Sequence, residues 1–194
     1  MNVLQPSRKE LIKLTPVSFN LQEVIVNEKP KTIVIGNQRV GRNYTGWGDF
    51  KSLRGRIRGI LVDVQDCPVK VKSMSFRLNH NDWDSVAFRL NISEVNDKHR
   101  GNSLLKKNIF VTTGKKHKWV RIDLNQENIL ICSKAVVSLE WVDAWGKTGE
   151  FSNLLTVSLG KNRGYTYKQE PGEEYGQLTF GDSMPAIILE VYSN

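Results

Sequence analysis

From Ile57 onward, apolar and polar residues alternate along this chain with a period of two rather than 3.6. Val69–Leu78 (VKVKSMSFRL) sets Val69, Val71, Phe76 and Leu78 against Lys70, Lys72 and Arg77. Ser73–Ser75 shift the phase of that run, which predicts a bulge. Ile57–Val64, Asp84–Val95, Val136–Val142 and Ala186–Tyr192 have the same character. In Trp119–Leu124, Trp119, Arg121 and Asp123 fall on one side, and Val120, Ile122 and Leu124 on the other. Each run is of strand length, rich in β-branched and aromatic residues, and bounded by Gly, Pro, Asn or Asp. No segment carries the apolar stripe of an amphipathic helix. Many short strands separated by turn signals predict an all-β, two-sheet antiparallel sandwich of jelly-roll-like form.

The connections divide the chain further. Asn79–Asp84 is rich in Asn and Asp, which tolerate left-handed backbone, and predicts a hairpin joining Val69–Leu78 to Ser85–Val95. Thr113–His117 predicts a second hairpin, between Asn108–Thr112 and Lys118–Leu124. Asn96–Ser103 reads as a long polar connection. Composition changes near residue 30: Leu11–Val26 reads as one or two strands ending in the turn Asn27–Pro30. Residues 1–31 are therefore read as an N-terminal strand arm or the tail of a preceding module, and 32–194 as the sandwich.

Composition narrows the class without naming a role. The 194 residues are 39% hydrophobic and 25% charged, as in ordinary globular proteins. A chain of this length buries roughly 70% of its unfolded surface, so it needs neither metal nor disulfide to hold together. Cys67 and Cys132 lack CxxC spacing and are read as two unpaired thiols packed as small apolar groups; an oxidising compartment would leave a bridge open. No apolar run approaches the roughly 18 residues of a membrane span. Met1–Glu10 is polar rather than basic-then-apolar, so the expectation is a cytoplasmic protein or an excised mature piece. A net charge of +8 admits an anionic partner, but the cations are dispersed. The one dense cluster, Lys115–Lys118, follows Gly114 at an expected turn, and no nucleic-acid partner is expected.

Candidate chemistry is sparse. His80, His99 and His117 fall in expected loops without ligand spacing, so no metal site is predicted. Gly36 and Gly41 are followed by Arg42-Asn43 where a phosphate loop needs Lys-Ser/Thr, and no cofactor motif is found. Asp82 and Asp84 flank Trp83, and Glu140 and Asp143 flank Trp141. A glycan hydrolase would need such carboxylates about 5–10 Å apart; solvated turn residues explain them more simply. Trp47, Trp83 and Trp145 lie in Gly-, Asn- and Asp-rich segments. Two readings stand for them: caps on the ends of the core, or a platform for sugar rings with Asp82 and Asp84 taking hydroxyls.

Several blocks together resemble an envelope-associated arrangement of Bacteroidetes-type bacteria. LIKLTPVSFNLQEVIV, with Leu21, Glu23, Val24 and Val26, resembles the closing strands of the carboxypeptidase regulatory-like (transthyretin-like) domain. Asn81–Ile92, Leu104–Thr113, Trp119–Leu124 and Val137–Val142 resemble, in order and spacing, the β-sandwich that follows it. The resemblance implies an exported, non-catalytic accessory domain of the cell envelope that binds a protein partner or a glycan through its loops. A dedicated carbohydrate-binding module is the alternative, and a glycan-active hydrolase a lesser one.

Overall fold

The computed structural model describes residues 30–48, 54–65, 67–96, 99–115, 119–146 and 154–193. Of the arm read at 1–31, residues 1–29 lie outside the described residues. The fold is all-β. Its strands are β1 (Thr32–Gly36), β2 (Tyr44–Gly48), β3 (Ile57–Asp63), β4 (Val69–Asn81), β5 (Ser85–Asn96), β6 (His99–Ser103) and β7 (Ile109–Gly114). They continue through β8 (Trp119–Asp123), β9 (Leu130–Ile131), β10 (Lys134–Trp145), β11 (Leu155–Gln169), β12 (Gln177–Pro185) and β13 (Ile187–Tyr192).

Two antiparallel layers face each other. One runs β1-β13-β4, with β8 and β9 on the far side of β4; the other runs β12-β11-β3-β10-β5, with β6 and β7 beyond β5. β11 belongs to both. Leu155–Val157 pairs with β4 and, with Ser158, β2, while Thr166–Gln169 pairs with β3. This switch of layers within one strand makes the hydrogen-bonded path continuous.

The period-two runs are strands where they were expected, and their inward positions form the core. Phe76 and Phe88 meet across the layers with ring centroids 5.5 Å apart, and Trp47 lies 4.9 Å from Phe88. The bulge expected at Ser73–Ser75 sits one residue earlier, at Lys72: Glu190 opposes Ser73 and Val191 opposes Val71. The pairing partners differ from the expected ones. β4 and β5 are not a hairpin: β4 pairs with β8, β9, β11 and β13, β5 with β6, β7 and β10. The Asn79–Asp84 connection arches from one layer to the other. β7 and β8 likewise pair in opposite layers, β7 with β5 and β8 with β4, so they are not a hairpin either; residues 116–118 between them lie outside the described residues. In both cases the apolar faces of consecutive strands look at each other across the core, the jelly-roll arrangement. The polar connection at Asn96–Ser103 contains β6, paired back onto β5 through Val95–Arg100 and Asn96–His99.

The cysteines also differ from expectation. Cys67 and Cys132 are joined in a disulfide, with Cα atoms 4.6 Å apart. The β4–β9 ladder brings them together: Val69 opposes Ile131, so the residues just outside each strand are neighbours.

One buried charge closes an end of the sandwich. Arg58 is buried, donating Nε to the Gly46 carbonyl (2.8 Å), Nη1 to the Ile57 carbonyl (2.8 Å) and Nη2 to Glu170 (2.7 Å). Arg56 donates to the Trp47 carbonyl at 2.9 Å and also contacts Glu170. Burial lowers the Arg58 pKa, opposed by Glu170. Burial alone would raise the Glu170 pKa, but the hydrogen bond and charge of Arg58, with Arg56, outweigh it and leave the carboxyl below its ordinary value. Glu170→Ala leaves a buried guanidinium without its carboxylate. Glu170 is itself partly solvated, so the expected cost in urea unfolding is about 2 kcal/mol, below the 3–5 of a fully enclosed pair. Because the folded pKa is depressed, this contribution is present above the unfolded carboxyl value of about 4.3 and is lost as pH falls through the folded value. The wild type and the variant therefore converge in stability in acid.

Candidate functional site

The structure separates the residues that sequence placed in one candidate set. Trp47 lies within β2, is 0% exposed, and donates Nε1–H to the Leu139 carbonyl at 3.2 Å. Trp83, in the β4–β5 arch, is 1% exposed and packs 6.4 Å from Trp141. Neither ring has a face to offer a sugar; both are core. Small neighbours allow this: a Cβ at Gly46 would sit 3.0 Å from the Leu155 carbonyl oxygen, so β2 can lie close enough to seat the indole.

Trp145 is different. It ends β10 at 48% exposure, opposite Ser85 in the ladder. Asp84 is next to it, ion-paired to Lys115 at 2.7 Å and overlain by Gly146, where a Cβ would lie 2.2 Å from the carboxylate. Asp82 accepts the Leu154 N–H at 2.7 Å and so ties the arch to β11. The two carboxylates thus hold separate local contacts rather than converging on a cleft. Glu140 is held by Arg89 at 3.0 Å. His80 and His99 lie in β4 and β6, beside Tyr44 and Tyr175, not in loops. His117 lies outside the described residues, among which no group of three His, Cys, Asp or Glu could hold a metal.

A second surface was not anticipated. In the β11–β12 hairpin, Lys161 opposes Ser183 and Gly164 opposes Gly181, leaving Asn162 and Arg163 to face Asp182 alone. The extra residue interrupts the ladder here as a β-bulge, and Arg163 reaches across to Asp182 at 2.8 Å. An open groove of about 630 Å³ lies on one side, lined by Arg39, Lys161, Asn162, Arg163, Asp182 and Ser183. A hollow of about 290 Å³ on the other side includes Asn162 and Arg163 again, with Leu61, Asp63, Lys134 and Tyr165. The two share the bulged residues Asn162 and Arg163 in their linings.

The groove's shape is set by buried polar contacts. Asn37 is fully buried. Its Nδ2 donates to the Met184 carbonyl at 2.7 Å, its backbone N–H to the Ile187 carbonyl at 2.8 Å, and its Oδ1 accepts the Arg39 N–H at 3.1 Å. One side chain therefore clamps the segment after β1 onto the hairpin and directs Arg39 over Lys161, whose carbonyl accepts from Nη1 at 3.2 Å. Gly160 is required there: a Cβ would meet the Arg39 carbonyl oxygen at 2.0 Å.

Two exposed rings stand at the hollow's Tyr165 side. Tyr165 (42% exposed) and Phe180 (56% exposed) oppose each other in the ladder, with centroids 5.1 Å apart and planes at 63°. A signal for this surface was present in the sequence. Gly160 and Gly164 bracket Lys-Asn-Arg within a strand, and isolated glycines in strands mark bulges or close backbone approach.

No family model matches the chain, and no curated protein matches it. Among solved structures it is similar to the crystal structure of the cysteine protease and lectin-like domains of Cwp84, a surface layer associated protein of Clostridium difficile. The TM-score is 0.50 at 8% identity, covering 73% of this chain and 33% of that one. The chain thus spans about a third of that structure's length, and the likeness is one of fold.

Proposed function

We propose that this chain is a non-catalytic binding domain of the cell envelope that holds a glycan along the β11–β12 hairpin. The observation that carries this reading is the meeting of the exposed Tyr165–Phe180 pair with the polar groove at the Asn162-Arg163 bulge. Aromatic faces take the C–H surface of sugar rings while neighbouring amides and charged groups take hydroxyls. Three features support it. The Cys67–Cys132 bridge suits an oxidising compartment. The similar fold occurs in a surface layer associated protein with a lectin-like domain. The blocks that resemble the sandwich after a regulatory-like domain point to the same setting. Binding is favoured over hydrolysis because the nearby carboxylates, Asp182 and Asp63, are solvated side chains (81% and 50% exposed) that line different hollows rather than an enclosed pair facing across one cleft.

A protein partner is the second reading. It is favoured by β12, which pairs only with β11 among the described residues and so presents an open edge. A glycan panel read by thermal shift and tryptophan fluorescence separates the two. The expected result is saturable binding of one glycan class, weakened about tenfold or more in Phe180→Ala with the fold retained. Silence across the panel, or binding indifferent to Phe180→Ala, would remove the glycan reading and leave the open edge. Trp145→Ala in the same assay asks whether the ring at the arch end contributes.

A further inference from the structure

The groove selects for charge as well as shape. Four cations line the groove and the hollow that shares its bulged residues (Arg39, Lys161, Arg163 and Lys134) against two carboxylates, Asp182 and Asp63. Building on the glycan reading above, we infer that the ligand is an acidic saccharide, carrying carboxylate, phosphate or sulfate groups along its chain.

The ion pairs within the groove do not neutralise it. Arg163 and Asp182 are 78% and 81% exposed, and such pairs are worth little in water. An incoming anion can therefore take the Arg163 guanidinium in a two-pronged contact at small cost. Lys161 makes none of the ion pairs seen among the described residues. Arg39 is already oriented by Asn37 and by the Lys161 carbonyl, which uses one of its N–H donors and leaves most for a ligand. A neutral glycan would bring no counter-charge to Arg39 and Lys161, which make none of the ion pairs among the described residues. An acidic one meets Arg39 and Lys161 on one side of the bulge and Lys134 on the other, with the aromatic pair beside the second position.

A saccharide fits better than a nucleic acid. Tyr165 and Phe180 are inclined to each other, so they form a corner for a puckered ring rather than a parallel slot for a flat base. The bulge places positive groups on both sides of Asn162, whose amide suits a hydroxyl between two charged positions.

The test measures binding of the full chain to oligogalacturonate, a phosphomannan oligosaccharide and a heparin oligosaccharide, which separate carboxylate, phosphate and sulfate as the source of charge. Carboxyl-reduced oligogalacturonate and a single-stranded oligonucleotide are the comparators. At least one acidic saccharide should bind. Its affinity should fall about tenfold or more in Arg39→Ser/Lys161→Ser, whose side chains lie at the surface, and should fall with added salt. Gly160→Ala, which displaces the Arg39 segment without changing charge, should weaken it comparably. If the reduced oligosaccharide binds as tightly as the acid and Phe180→Ala still abolishes both, the acidic assignment is wrong while the glycan reading stands. If no saccharide binds, both fall. An oligonucleotide that binds more tightly than every acidic saccharide would give the groove to nucleic acid and overturn the inference.

Discussion

Trp47→Ala should cost this domain about 4 kcal/mol, while Trp145→Ala should leave its stability within about 0.5 kcal/mol of the wild type. The two tryptophans look alike in sequence, each beside glycine and aspartate, and the structure gives them opposite surroundings. Trp47 is fully enclosed, with its ring against Phe88 and its indole N–H on the Leu139 carbonyl. Truncation removes a large apolar surface, leaves a cavity between the layers and loses the hydrogen bond from the indole, and the three losses act together. Trp145 is half exposed at a strand end, so its removal opens no cavity. Urea unfolding of both variants measures the contrast. Equal midpoints would mean that Trp47 is not the enclosed core ring described above. A loss against a domain stability of about 5–15 kcal/mol leaves Trp47→Ala folded but fragile, so binding assays on it need a fold control.

The same residues show how much was legible in the chain. Period-two alternation exposed which segments are strands and which side chains point inward, because burial of one face imposes it directly. Val86, Phe88, Leu90 and Ile92 were read as apolar positions of one strand and lie together in the core. Pairing partners were not legible. Asn79–Asp84 has turn chemistry whether the chain reverses within one sheet or arches to the other, and only the distant strands β8, β10 and β13 decide between them. Burial of Trp47 and Trp83 was hidden for a related reason: Gly and Asp beside a tryptophan mark a loop in most sequences, but here they let backbone approach an enclosed ring. The groove's components are scattered at Arg39, Lys134, Lys161–Tyr165 and Phe180, and no local pattern joins them. Its one local trace was the glycine spacing around the bulge.

The second large effect concerns the disulfide. Cys67 and Cys132 are 65 residues apart, and the loop they close contains β4 through β9. Removing the bridge restores that loop's freedom in the unfolded chain, which by the chain-entropy relation costs about 4 kcal/mol. The native anchor is local and short. β9 has two residues, Leu130–Ile131, and beyond its pairing with Val69 and Lys70 this segment is held by backbone bonds such as Val71 to the Ile129 carbonyl (2.9 Å) and Val64 to the Ser133 carbonyl (3.1 Å). Loss of the bridge should therefore loosen the β9 edge first and lower global stability as well. Urea unfolding with and without reductant, and of Cys67→Ser/Cys132→Ser, measures the cost. The double variant should match the reduced protein, since packing of two serines there replaces little apolar surface. Thiol titration of the denatured, unreduced chain is the companion measurement. Two titratable thiols in protein prepared under oxidising conditions would show the bridge is not formed, and would also remove one support for a role outside the reducing cytoplasm. A protected pair with unchanged unfolding midpoints would instead mean that the unfolded chain is already compact around β4–β9, so that the bridge has little freedom to restrict.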